Sequence, residues 1–152
     1  MVTILEQIIQ TKYVEVEQAK RVRPITEWEH TLEPTTRSFY HAIQKKPLAC
    51  IAEIKKASPS EGVIRPDFSL NQIVHAYNPF AAALSILTDE SYFKGSLSIL
   101  REVRSLTDLP ILRKDFIIDT YQIGEARDAG ADSFLLIAAI LRPDQLKHFL
   151  EY

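Results

Sequence analysis

The chain has 152 residues, 46% hydrophobic and 25% charged, with a net charge of -2. That length suits one domain with a real core, able to bury roughly 70% of its unfolded surface, and the charge balance gives no electrostatic case for nucleic acid or an anionic membrane as partner. A single cysteine, Cys50, excludes an internal disulfide, and no apolar run approaches the roughly 20 residues of a membrane helix.

The first twenty residues place Ile4, Leu5, Ile8, Ile9, Val16 and Ala19 on one helical face, ahead of the Lys20 to Pro24 break. No positively charged stretch precedes an apolar one between Met1 and Ile9, so no signal peptide is expected and the reducing cytoplasm is the default compartment. Trp28, between Glu27 and Glu29, is expected to anchor this extension on the remainder of the chain. The hydroxyls from Thr35 to Ser38 can cap a short helix carrying Phe39, Tyr40 and Ile43. Residues 1–46 are thus expected to form a helical extension and residues 47–152 a single α/β unit.

From Leu48 the pattern changes. Apolar runs at Leu48 to Ile54, Ala81 to Leu87, Pro110 to Leu112 and Ser133 to Ala139 each lead into polar residues and then a helical stripe. The stripes are Leu70, Ile73, Val74 and Tyr77; Leu97, Leu100 and Val103; Tyr121, Ile123 and Ala126; and Leu146, Phe149 and Leu150. Asp119 and Gly130 bound the third stripe, and Pro143 suits the first turn of the fourth. Runs that scarcely alternate fit strands of a parallel sheet buried on both faces. The repeats start about 23 to 34 residues apart, the size of one unit of a (β/α)8 barrel. Four consecutive βα units are predicted, and periodicity alone leaves open half a barrel or a small open sheet.

In a parallel barrel the reactive groups come from the C-terminal ends of the strands. Side chains alternate along a strand, so Ile51, Glu53 and Lys55 share one face, as do Leu112, Lys114 and Phe116. If both sets face the interior, one carboxylate and two ammonium groups meet at its mouth. Lys55 can then pair with a substrate carboxylate or phosphate, Lys114 can donate a proton, and Glu53 can hold the lysines in place. The competing reading is that these are solvated strand-end charges, and the residue pattern leaves both open. Cys50 reads as a small buried hydrophobe. His30, His41, His75 and His148 lack metal-ligand spacing, and the Lys20 to Arg23 and Lys45-Lys46 clusters read as solvated.

Four segments, in order, resemble the signature of indole-3-glycerol phosphate synthases. They are Glu53-Ile54-Lys55-Lys56-Ala57-Ser58-Pro59-Ser60 with Gly62, Ile64, Arg65, Asp67 and Phe68; Leu84 to Glu90 with Phe93, Gly95 and Ser96; Leu112 to Asp119 with Tyr121, Gln122 and Ile123; and Glu125 to Asp132 with Leu135, Leu136 and Ile137. The resemblance implies an incomplete TIM (β/α)8 barrel and a cofactor-free, metal-free carboxy-lyase of tryptophan biosynthesis. That enzyme converts 1-(2-carboxyphenylamino)-1-deoxyribulose 5-phosphate to indole-3-glycerol phosphate. Carried over residue by residue, Lys114 resembles the general acid, Lys55 the contact to the substrate carboxylate, and Glu53 the carboxylate that organises both. Ser58 resembles a substrate contact of the mobile first loop, and Phe93 and Phe116 resemble the apolar residues around the anthranilate ring.

Two departures qualify the likeness. Tyr77-Asn78-Pro79-Phe80-Ala81 stands where many members have a Gly-Gly turn, and it resembles the form in bifunctional synthase/phosphoribosylanthranilate isomerase proteins. The family also continues through four more βα units, including the loops that grip the phosphate. The chain itself has no glycine-rich phosphate loop. The expectation is therefore very little activity for the isolated chain, a small phosphorylated substrate, and as partner either the missing C-terminal half-barrel or a second copy joined through exposed sheet edges. A non-catalytic half-barrel serving assembly is the alternative from another class. A different phosphate-binding barrel, such as the isomerase, is disfavoured by Lys114-Asp115-Phe116.

Overall fold

The structure is a computed structural model that describes residues 2–45, 47–64 and 67–152. Lys46 and Arg65, both named above, lie outside the described residues.

Helix α1 (Ile4–Val22) starts where Thr3 and Glu6 form a reciprocal capping box, each side chain accepting from the other's backbone N–H. Its inward stripe is Ile8, Lys12 and Val16, so a lysine occupies the middle of an otherwise apolar face. Two 3-10 turns, Ile25–Glu27 and Glu29–Thr31, flank Trp28, and α2 (Phe39–Gln44) follows under a Ser38 cap.

Four strands form one parallel sheet in sequential order: β1 (Ile51–Ile54), β4 (Ala83–Leu87), β5 (Ile111–Lys114) and β6 (Ser133–Phe134). Between β1 and β4 the chain adds an antiparallel hairpin, β2 (Ala57–Ser58) and β3 (Gly62–Val63), that the sequence did not announce. Gly62, at φ 67°, takes the left-handed conformation the tight turn needs. Helices α3 (Leu70–Tyr77), α4 (Leu97–Leu106), α5 (Thr120–Asp128) and α6 (Pro143–Glu151) follow the strands in turn. Ser69, Ser96 and Asp119 cap the first three of these, Gly130 at φ 96° follows α5, and Pro143 opens α6.

The core lies between the sheet and the helices. Ile54, Leu84, Ile86 and Ile111 from the strands meet Val74, Leu100, Val103 and Ala126 from the helices. Sequential parallel strands with a helix after each make this an α/β fold with half the strands of an eight-stranded barrel. A second cluster of Val16, Trp28, Ile118 and Tyr121 docks the extension on α5. Trp28 meets Tyr121 edge to face at 5.8 Å, and the Tyr121 hydroxyl donates to the carbonyls of Ala19 and Arg23. Trp28 therefore acts as the anchor its flanking glutamates suggested.

Four readings need correction. The first run is strand only from Ile51 onward, and its start lies outside the sheet, with Leu48 90% exposed. The fourth run gives only the two residues of β6, and Ala138–Ile140 turns into a 3-10 helix. Cys50 is exposed, lying ahead of the edge strand β1 rather than in the core. The Lys20 to Arg23 cluster is not simply solvated: Lys20 pairs with Asp119 at 2.6 Å, and Arg23 grips Asp128 while its guanidinium lies 4.4 Å from the Trp28 ring centre. No described helix is long and apolar enough to cross a membrane.

Candidate active site

Register sets the site. Glu53 of β1 aligns with Ser85 of β4, Ser85 with Leu112 of β5, and Leu87 with Lys114. Alternation then places Ala52, Ile54, Ile111 and Arg113 under the helices and Ile51, Glu53, Leu112 and Lys114 on the opposite face. The burial follows suit, with Ala52 and Ile54 buried and Ile51 46% exposed.

On that open face the Glu53 carboxylate accepts a hydrogen bond from the Lys114 ammonium, reaching past β4 to do so. Its other oxygen lies 3.7 Å from Lys55 Nζ. All three side chains are about one-third exposed, at 32% for Glu53, 30% for Lys55 and 39% for Lys114. Two cations share one carboxylate, so the cluster carries a net positive charge beside solvent and suits an anionic ligand.

Phe93 and Phe116 stand together with ring centres 6.1 Å apart and planes inclined by 38°. Both are half-buried, as a pair that lends one apolar flank to a binding site would be. Ser58 stands apart: its hydroxyl donates to Glu61 Oε2 at 3.2 Å and accepts from the Glu61 backbone at 3.2 Å, so its bonds close within the hairpin. A cleft of about 250 Å³ at the β1 edge joins Glu53 and Lys55 to Ile64, Phe68 and Tyr77. Among the described residues no cluster of His, Cys, Asp and Glu could hold a metal ion, and the four histidines are exposed.

Behind the open face lies a charged network that sequence reasoning missed. Arg113, buried, donates to Thr88, to the Gln122 carbonyl and to Asp115. Lys12 Nζ reaches Asp115 at 3.2 Å, Asp89 at 2.9 Å and Glu15 at 2.7 Å, the Asp89 contact being an ion pair without hydrogen-bond alignment. Burial alone would raise the Asp115 pKa, but Arg113, Lys12 and the Thr88 hydroxyl outweigh it and hold the carboxyl below its ordinary value. For Glu125 the balance reverses: burial prevails over Arg113 and pushes its pKa up. One signal was available, since Lys12 interrupts the Ile8 to Val16 stripe at helical spacing.

Residues 5–152 match the family model described as indole-3-glycerol phosphate synthase. The chain belongs to the indole-3-glycerol phosphate synthase family. It is 47% identical over 154 residues to the indole-3-glycerol phosphate synthase of Dechloromonas aromatica, covering 97% of this chain and 59% of the relative. It is 50% identical over 157 residues to that of Neisseria meningitidis serogroup B, covering 98% and 60%. It is also 43% identical over 147 residues to the tryptophan biosynthesis protein TrpCF of Vibrio parahaemolyticus, covering 97% and 31%. The chain thus spans less than two thirds of the length of these relatives. Within the family fold the four parallel strands are part of a TIM barrel.

Proposed function

We propose that this chain supplies the first half of an indole-3-glycerol phosphate synthase active site. The enzyme acts in tryptophan biosynthesis and closes, decarboxylates and dehydrates 1-(2-carboxyphenylamino)-1-deoxyribulose 5-phosphate. The observation that carries this reading is the Glu53 carboxylate held between Lys114 and Lys55 on the open face of the sheet. Lys114 protonates the substrate carbonyl as the ring closes, which prevents an alkoxide from building up. Lys55 contacts the substrate carboxylate and holds the reactive conformation. Glu53 neutralises one of the two cations and fixes both, leaving one positive charge for the substrate. Phe93 and Phe116 flank the anthranilate ring, and Ser58 approaches the substrate from the first loop when the hairpin exchanges its internal bonds.

No metal or organic cofactor is needed for these roles, and the cytoplasm is the compartment that fits them. The phosphate must be held by groups outside this chain. We therefore expect very little activity from the chain alone, with a C-terminal half-barrel as its partner. A second reading, a half-barrel that serves assembly, draws on the exposure of Ile51 on the open face and on the edges of β1 and β6, unpaired among the described residues. Co-expression with the remaining C-terminal portion of the Dechloromonas aromatica synthase, in a tryptophan auxotroph lacking its own synthase, separates the two. The synthase reading expects growth without tryptophan, lost on Lys114→Ala. Assembly of the two pieces without growth would favour the second reading.

A further inference from the structure

Helix α1 is more than a cover. Three of its residues reach the loop between β4 and α4 and the end of β5: the Thr11 hydroxyl meets the Tyr92 hydroxyl at 3.0 Å, Glu15 Oε1 accepts from Ser91 at 2.5 Å, and Lys12 enters the gap between Asp89 and Asp115. The side chains of Lys12, Asp89 and Asp115 are 5%, 0% and 1% exposed. Burying a lysine at this depth is costly unless it is paired, and here three carboxylates surround it.

What the two aspartates do with their remaining capacity gives the lysine its meaning. Asp89 Oδ1 accepts from the backbone N–H of Tyr92 at 2.8 Å and of Phe93 at 3.2 Å. Asp115 Oδ1 accepts from the backbone N–H of Phe116 at 2.8 Å, while its Oδ2 takes the Thr88 hydroxyl and Arg113. Each carboxylate therefore fixes the backbone of one member of the Phe93–Phe116 pair, and Lys12 is the group that ties the two carboxylates together.

We propose that Lys12 is a positioning residue, which sets the spacing of Phe93 and Phe116 by bridging the aspartates that hold their backbones. This rests on the reading that the aromatic pair flanks the substrate ring, and it makes the helical extension a component of the site. Without the ammonium, Asp89 and Asp115 repel each other across the gap and the two loops separate while the sheet behind them stays intact.

Amide hydrogen exchange on the full chain tests this without requiring activity. Lys12→Met should speed exchange about tenfold at Tyr92, Phe93 and Phe116, and leave unchanged the amides of Leu84 and Asp132, which bond the Pro110 and Ile111 carbonyls at the start of β5. Lys12→Arg, which keeps the charge, should restore most of the protection. Equal acceleration at all five amides, or none at the first three, would overturn the proposal. So would a chain that fails to fold with both Lys12→Met and Lys12→Gln, since Lys12 would then be a determinant of the fold as a whole. In the barrel completed with the Dechloromonas aromatica C-terminal portion, Lys12→Met should raise KM about tenfold with kcat changed less than about threefold, again recovered by Lys12→Arg. A large fall in kcat at unchanged KM would contradict a role in holding the ring. If the completed wild-type barrel is silent, the synthase reading fails, while the exchange pattern still decides whether Lys12 spaces the two loops.

Discussion

Asp115 shows how a single buried group couples charge to stability. Its folded-state pKa lies below its ordinary value, so its stabilising contribution is complete above about pH 4 and is lost as pH falls through the folded-state value. Asp115→Asn should cost about 3–5 kcal/mol at neutral pH, because it leaves Lys12 and Arg113 short of a counter-charge. The gap between the two proteins should narrow on acidification below about pH 4. Urea titrations at neutral and acid pH check both, and a gap that widens on acidification would contradict the assigned sign. Gly95 is a residue-scale constraint of another kind. A Cβ there would sit 2.2 Å from the Leu87 carbonyl oxygen, and backbone cannot yield as a side-chain tip can. Gly95→Ala should lower stability by about 3 kcal/mol, read as a reduced urea midpoint.

Among the elements, the helices were the most legible, and the reason lies in their ends. Asp119, Gly130 and Pro143 act within one turn of chain, so their effect can be read from neighbours alone. The hairpin of β2 and β3 depends on which strand lies alongside, and a linear pattern does not contain that. Lys12 belongs to the same class: its break in the stripe is visible, but its partners Asp89 and Asp115 are more than seventy residues away. Strand alternation grouped Glu53 with Lys55 and Lys114 with Phe116, whereas the common face of the two sets and the Glu53–Lys114 contact across β4 needed the register. The docking of the extension yields a prediction at this scale. Trp28→Ala should cost about 3–5 kcal/mol and open the α1–α5 contact to proteolysis before the sheet unfolds. Simultaneous loss of helix and sheet would show instead that the extension is part of one cooperative unit.

For the molecule as a whole, the proposed function makes the open face of the sheet the surface that a C-terminal half-barrel would cover. Ile51 belongs to the same face as Glu53 and Lys114, and the face proposed to carry the chemistry is the one an eight-stranded barrel encloses. Ile51→Lys should therefore weaken association with a C-terminal half-barrel by about tenfold, measured by titration of the two pieces, while leaving the fold of the chain intact. If Glu53, Lys55 and Lys114 act together on one substrate, carbon dioxide release from carboxyl-labelled substrate is the readout closest to their chemistry. It is measured with the purified chain mixed with the Dechloromonas aromatica C-terminal portion. Release matched by indole-3-glycerol phosphate is expected, reduced at least about 100-fold by Lys114→Ala in a mixture that still assembles. Release that persists undiminished in the Lys114→Ala mixture would contradict a shared role for the three side chains.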